Sequence, residues 1–160
     1  MPEQETLERA RQAKREGKRP SSQAGEFVRE EIHHVREGKH GVRSTKQAIA
    51  IGLSKARRAG VKLGPPPKGA KRTTRQSAAS ATRRAGRKPS RTRSRATRAA
   101  LEHEGRSAVS SSALARQARQ AARRRGPAAR KAAARKAVAT KGPAGRRAAA
   151  RKAAATRKAA

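Results

Sequence analysis

The large apolar side chains of this chain lie mostly before residue 64, and there they recur with the period of a helix. Ala24, Phe27, Val28, Ile32 and Val35 follow spacings of three and four, which predicts an amphipathic helix over residues 24–37. Ser21 and Ser22 offer a cap before it, and Gly38 ends it. Ser44-Thr45-Lys46-Gln47 reads as a capping box, the Ser44 oxygen meeting the Gln47 amide while the Gln47 side chain reaches back. It opens a second helix to about Ala59, with Gly60 as its stop. That helix carries Ile49, Leu53 and Ala56 on one face, and Ala48 and Gly52 beside them are small enough for another helix to approach closely. The two stripes, joined by residues 38–43, predict a helical hairpin, the core of a helix-turn-helix-like unit. Ile51 projects opposite Ile49 and reads either as a scattered exposed residue or as a self-association contact. Residues 1–20 hold a weaker pattern around Leu7, closed by Gly17 and Pro20, and read as a fraying helix.

The apolar pattern stops at Gly64-Pro65-Pro66-Pro67-Lys68-Gly69, where consecutive prolines predict a stiff polyproline II spacer. Beyond it the chain turns Ser/Thr/Arg-rich and then Ala/Lys/Arg-rich, with breaks at Pro89, Gly105, Gly126-Pro127 and Gly142-Pro143. Four segments result: an arm at 1–21, a helical module at 22–62, the spacer at 63–69 and a low-complexity cationic tail at 70–160. Phe27 is the one aromatic residue, so little core is available. The expected fold class is small all-α, a two-helix hairpin followed by a long disordered basic tail that turns partly helical when bound.

Charge points to the partner. The chain has 160 residues with 44 Lys or Arg against 10 acidic residues, a formal net charge of +34. Residues 1–64 hold 15 basic and 8 acidic side chains, and residues 65–160 hold 29 and 2. So unbalanced a chain calls for a polyanion, and duplex DNA is the expected partner, with RNA as the alternative. In the tail, basic doublets recur at Arg130-Lys131, Arg135-Lys136, Arg146-Arg147, Arg151-Lys152 and Arg157-Lys158. Five-residue steps turn about 140° around a helix, so these doublets would make a cationic cylinder without an apolar seam. Residues 110–160 resemble the Ala/Lys-rich C-terminal domains of linker histones and of bacterial linker-histone-like proteins, a resemblance that implies DNA condensation without sequence readout.

In the module, Gly25-Glu26-Phe27-Val28-Arg29-Glu30-Glu31-Ile32, Gly38-Lys39-His40-Gly41 and the run from Ser44 to Ala56 resemble a family of small, basic, uncharacterised bacterial proteins labelled DNA-binding or plasmid-stabilisation-like. The likeness implies a bacterial source and a nucleoid role, and it supplies no site residues. From the residues themselves, Glu26, Glu30, His33 and Glu37 share an acidic outer face on the first helix, a poor surface for phosphate. Arg43, Lys46, Lys55, Arg57, Arg58 and Lys62 are the expected phosphate contacts around the second helix, whose N-terminus at Ser44 and Thr45 favours an anion.

Other chemistries fall away. Cysteine is absent, and no phosphate-cradling loop, nucleophile elbow or pocketed carboxylate pair is present, so no catalysis and no cofactor are expected. His33, His34 and His40 invite a metal reading, but adjacent histidines point about 100° apart on a helix and no metal site is expected. Gly86-Arg87-Lys88-Pro89 lacks the uninterrupted Gly-Arg-Pro of an AT-hook. Thr92, Ser94 and Thr97 are candidate phosphorylation sites that would weaken DNA binding. The longest apolar run, residues 48–53, is too short for a bilayer span, and a cytoplasmic, nucleoid-associated protein without membrane contact is expected. The function expected is sequence-nonspecific, histone-like DNA binding and compaction. The alternatives are a ribosome-associated RNA binder, a helical protein-interaction module that self-associates or recruits while the tail solvates it, and, least favoured, a membrane-active peptide.

Overall fold

The computed structural model describes residues 2–67, 69–88 and 90–158, with the Lys158 side chain outside the described residues. Lys68 of the expected spacer and Pro89 of the AT-hook-like stretch also lie outside them. The described chain is all-α: α1 (Gln4–Arg15), α2 (Pro20–Arg36), α3 (Thr45–Arg58), α4 (Arg72–Arg83), α5 (Arg91–Glu102), a 3-10 turn (Ser107–Val109), α6 (Ser111–Arg124) and α7 (Gly126–Lys158). It divides into two units, residues 1–115 and 116–160.

In the first unit, α2 crosses α3 along a seam of small residues. Thr45, Ala48, Gly52 and Ala56 are the buried positions of α3, and Ile49 and Leu53 flank them half-buried. Gly52 sets the closeness of the crossing: a Cβ there would lie 2.7 Å from Val28 Cα and 3.0 Å from the Phe27 carbonyl oxygen. Phe27 is buried in a cluster with Ala10, Ala24 and Ala56, against which Leu7, Leu53, Val61 and Leu63 pack. Thus α1 is docked on α2 through Thr6, Ala10 and Ala13. The Ser44 oxygen accepts from the Gln47 amide as the capping pattern predicts, but the Gln47 side chain accepts from the Arg43 amide, one residue beyond the expected one. Pro20 opens α2 at its first turn, where its missing N–H costs nothing, so Ser21 and Ser22 lie inside the helix and do not cap it.

A second cluster corrects the expected two-helix hairpin. Val35, Val42 and Ala48 pack with Val109, and Ile32, Ile51, Leu101 and Ala108 cover them. Ile51 is half-buried against this cluster. The end of α5 and the segment after it are stitched to the α2–α3 connection by backbone bonds: the Gly41 N–H donates to the Leu101 carbonyl at 2.9 Å and the Val42 N–H to that of Gly105 at 2.9 Å. Arg36 Nε donates to the Val109 carbonyl at 3.2 Å and Thr45 Oγ1 to that of Ala108 at 2.5 Å. α4 packs on α3 and buries Ala81.

The disordered, low-complexity tail is corrected too. Residues 72–158 are largely helical. Poverty in large apolar residues argues against a core, but an Ala-rich run of about 16 residues is just long enough for its own backbone bonds to hold it as a helix. Like-charged i,i+4 pairs such as Lys131 with Arg135 oppose it by only about 0.2–0.5 kcal/mol each, less than the fourteen alanines of α7 offset. α7 is broken at Gly142 (φ 62°, ψ 179°), and Pro143 starts the second run. No helix among the described residues is long and apolar enough to cross a membrane.

Candidate nucleic-acid interface

In the second unit, α7 presents Arg130, Lys131, Arg135, Lys136, Arg146, Arg147, Arg151, Lys152 and Arg157 to solvent, while the Lys158 side chain lies outside the described residues. No described side chain of α7 is buried, and none of its residues is acidic. The last carboxylate in the sequence is Glu104. Each run of α7 is about 16 residues and so about 24 Å long, and its doublets point to every side because the cations follow no helical period. Such a rod has no face to lay on an apolar partner and cations wherever a phosphate approaches.

The cations predicted around α3 divide into two groups. Lys46 and Lys62 are exposed, and Arg43 is exposed while pairing with Glu104 at 3.1 Å. Arg57 donates to the Gly64 carbonyl at 3.1 Å. Lys55 turns inward, its ammonium 3.2 Å from Glu30 and 2.8 Å from Glu31. Arg58 points to a cleft of about 400 Å³ bounded by α3, α4 and α5 and lined by Ser54, Arg58, Gln76, Ser77, Ser80, Ala81, Arg84 and Arg93. Three guanidiniums, three hydroxyls and no carboxylate line it, and Arg58 Nε is buried without a partner. Arg84 and Arg93 escape a reading of the sequence because they are separate cations in a polar run, brought to one cleft only by the fold.

The expected acidic face is largely neutralised within the chain. Glu26 pairs with Arg9 of α1 at 3.2 Å and with Arg29 at 3.5 Å, and Glu37 pairs with His33 at 2.8 Å and Lys39 at 3.2 Å. Glu30 belongs to no outer face, since its side chain is 1% exposed. Its two oxygens accept from Lys55 and from the Glu3 N–H. Beside it Glu31, also 1% exposed, contacts Lys55 and the His40 ring at 3.4 Å. His33 and His34 diverge as their spacing requires, but His34 converges with His40 and Glu31, their ligand atoms lying within 4.8 Å of one another.

Glu3 ties the start of the chain to this group. Its carboxylate accepts from His34 at 2.8 Å and Lys39 at 3.1 Å, and these bonds, His34 first, hold its pKa at about 2 against an ordinary 4.5. A depressed carboxylate contributes stability above its unfolded value and loses it as pH falls through the folded one. The contact that fixes the start of α1 is thus complete above pH 4.5 and lost toward pH 2. Carboxyl NMR should give a Glu3 midpoint near 2, and His34→Ala should move it upward toward 4.5.

No curated protein and no solved structure matches the chain. A model for a family of unknown function, DUF6496, matches residues 11–69. That stretch holds the end of α1, all of α2 and α3, and the proline segment, and none of α4 to α7. Over its α2–α3 core, and not over its cationic helices, the chain is similar to that family.

Proposed function

We propose that this protein binds and compacts duplex DNA through phosphate contacts that ignore base sequence, as a histone-like protein of the nucleoid. The observation that carries the reading is α7, two helical runs meeting at Gly142, without an acidic residue and with every described basic side chain in solvent. Its cations replace the counterions along a phosphate backbone, and the release of those counterions supplies the affinity. The Arg58–Arg84–Arg93 cleft and the exposed Lys46 and Lys62 extend the same chemistry to the first unit, where a phosphate finds guanidiniums and hydroxyl donors without a competing carboxylate. Nothing in the described cation set resembles base readout, and Phe27, the single aromatic, is buried and gives no stacking platform.

Competition tests this directly. A labelled duplex bound to the full chain is displaced by unlabelled duplexes of different sequence, all within about threefold of one another because phosphates carry the affinity. Structured RNA is offered in the same competition at matched phosphate concentration. A preference for RNA moves the protein to the transcript or ribosome side, and a duplex that outcompetes the others by about a hundredfold or more requires base contacts.

A further inference from the structure

We infer that Glu31, His34 and His40 form a binding site for one divalent transition-metal ion of the zinc class. The donors come from two places that the fold brings together, one turn of α2 and the connection after it. Their ligand atoms lie within 4.8 Å of one another, and Glu31 Oε1 is 3.4 Å from His40 Nε2. Two ligands on a tetrahedral zinc, with bonds near 2.0–2.1 Å, stand about 3.3 Å apart, so that edge of the site is already set.

Three further observations point to a ligand here. Glu31 is fully buried, yet neither of its oxygens has an aligned hydrogen-bond partner; Lys55 and His40 touch it as charge contacts only. A buried carboxylate left in that state is costly. The charges do not balance either, since Glu30 and Glu31 face one ammonium, Lys55, while Lys39 is taken by the exposed Glu3 and Glu37. A divalent cation supplies the missing positive charge. Finally, both imidazoles are held from behind: His34 Nε2 is on Glu3 at 2.8 Å and His40 Nδ1 on the Gly41 carbonyl at 3.0 Å. The other nitrogens, His34 Nδ1, which stands 4.0 Å from Glu30 Oε1, and His40 Nε2, are the ones offered to the ion, with the carboxylate and carbonyl partners that orient metal-binding histidines. Two nitrogens and one oxygen select zinc, cobalt, nickel or copper over calcium or magnesium. The two rings are partly exposed, at 12% and 14%, so water reaches the fourth position.

The test uses the full chain stripped with a chelator and titrated with Zn²⁺ and, for its ligand-field spectrum, with Co²⁺. One ion binds per chain, the Co²⁺ spectrum is that of a four-coordinate site, and Zn²⁺ raises the melting temperature. His34→Ala and His40→Ala, at the accessible edge of the site, each weaken binding by about 100-fold or more, and Glu31→Gln does the same, whereas His33→Ala leaves it unchanged. Absence of saturable one-to-one binding overturns the proposal, as does wild-type affinity in both His34→Ala and His40→Ala. Either result leaves Lys55, 2.8 Å away, as the counter-charge of Glu31. Neither result bears on α7.

Discussion

Replacing Arg130, Lys131, Arg135, Lys136, Arg146, Arg147, Arg151 and Lys152 together by glutamine lowers the affinity for duplex DNA by about 100-fold or more at 50 mM salt, and flattens its salt dependence by as much as about 7 in log–log slope, near 0.9 for each cation lost. The substitution isolates charge. All eight side chains are exposed, so no core is touched. Glutamine matches lysine and arginine in helix propensity, so α7 keeps its backbone. Circular dichroism of the variant should therefore match the parent while filter binding or anisotropy does not. If affinity persists, the cations of α3 and of the Arg58–Arg84–Arg93 cleft carry the binding, and α7 does something else.

Gly41→Ala unfolds the junction on which the first unit depends. A Cβ at this position would stand 1.7 Å from the Glu104 carbonyl oxygen and 2.3 Å from its carbon, both backbone atoms that no side-chain rotation moves. The 101–105 segment must leave, taking with it the Gly41 and Val42 backbone bonds and uncovering Val42 and Val109. The expected loss is about 3 kcal/mol, the upper part of the range for overpacking, with two hydrogen bonds broken besides. It appears as a fall of about 10–15 °C in melting temperature. Gly25→Ala is the control: it sits inside α2 with nothing within 4 Å of its added carbon, and it should stabilise by about 0.5–1 kcal/mol through helix propensity alone.

What the sequence made legible was what is local. The α2 and α3 stripes, the Ser44 cap and the smallness of Gly52 all follow from residues within a few turns of one another, and the structure places them nearly as read. The docking of α1 was not legible because its buried face is Thr6, Ala10 and Ala13, too small to stand out as an apolar stripe. Leu101 and Val109 are isolated apolar residues in a polar run, so no period announces that they close the core around Val42. The alanines of α7 read as helix formers in the sequence, but the repulsion between its closely spaced like charges reads as stronger than it is, so the helix is expected only on a bound polyanion and not in the free chain. In the candidate site, the doublets needed only counting. The pairing of Lys55 with Glu30 and Glu31 is not legible because spacing makes those acids look like surface residues, and only the crossing of α2 on α3 buries them. The same crossing and the turn at Gly41 bring His40 back to His34, which spacing on a single helix could not foretell.

The central claim is that phosphate electrostatics alone binds this protein to DNA. It is tested most directly by the affinity of the full chain for a random-sequence duplex between 50 and 200 mM salt. The account predicts a fall of about 10³-fold or more across that range, a log–log slope of about −6 or steeper, and the same line for A·T-rich and G·C-rich duplexes. A slope shallower than about −2, or affinity that depends on the sequence offered, contradicts it.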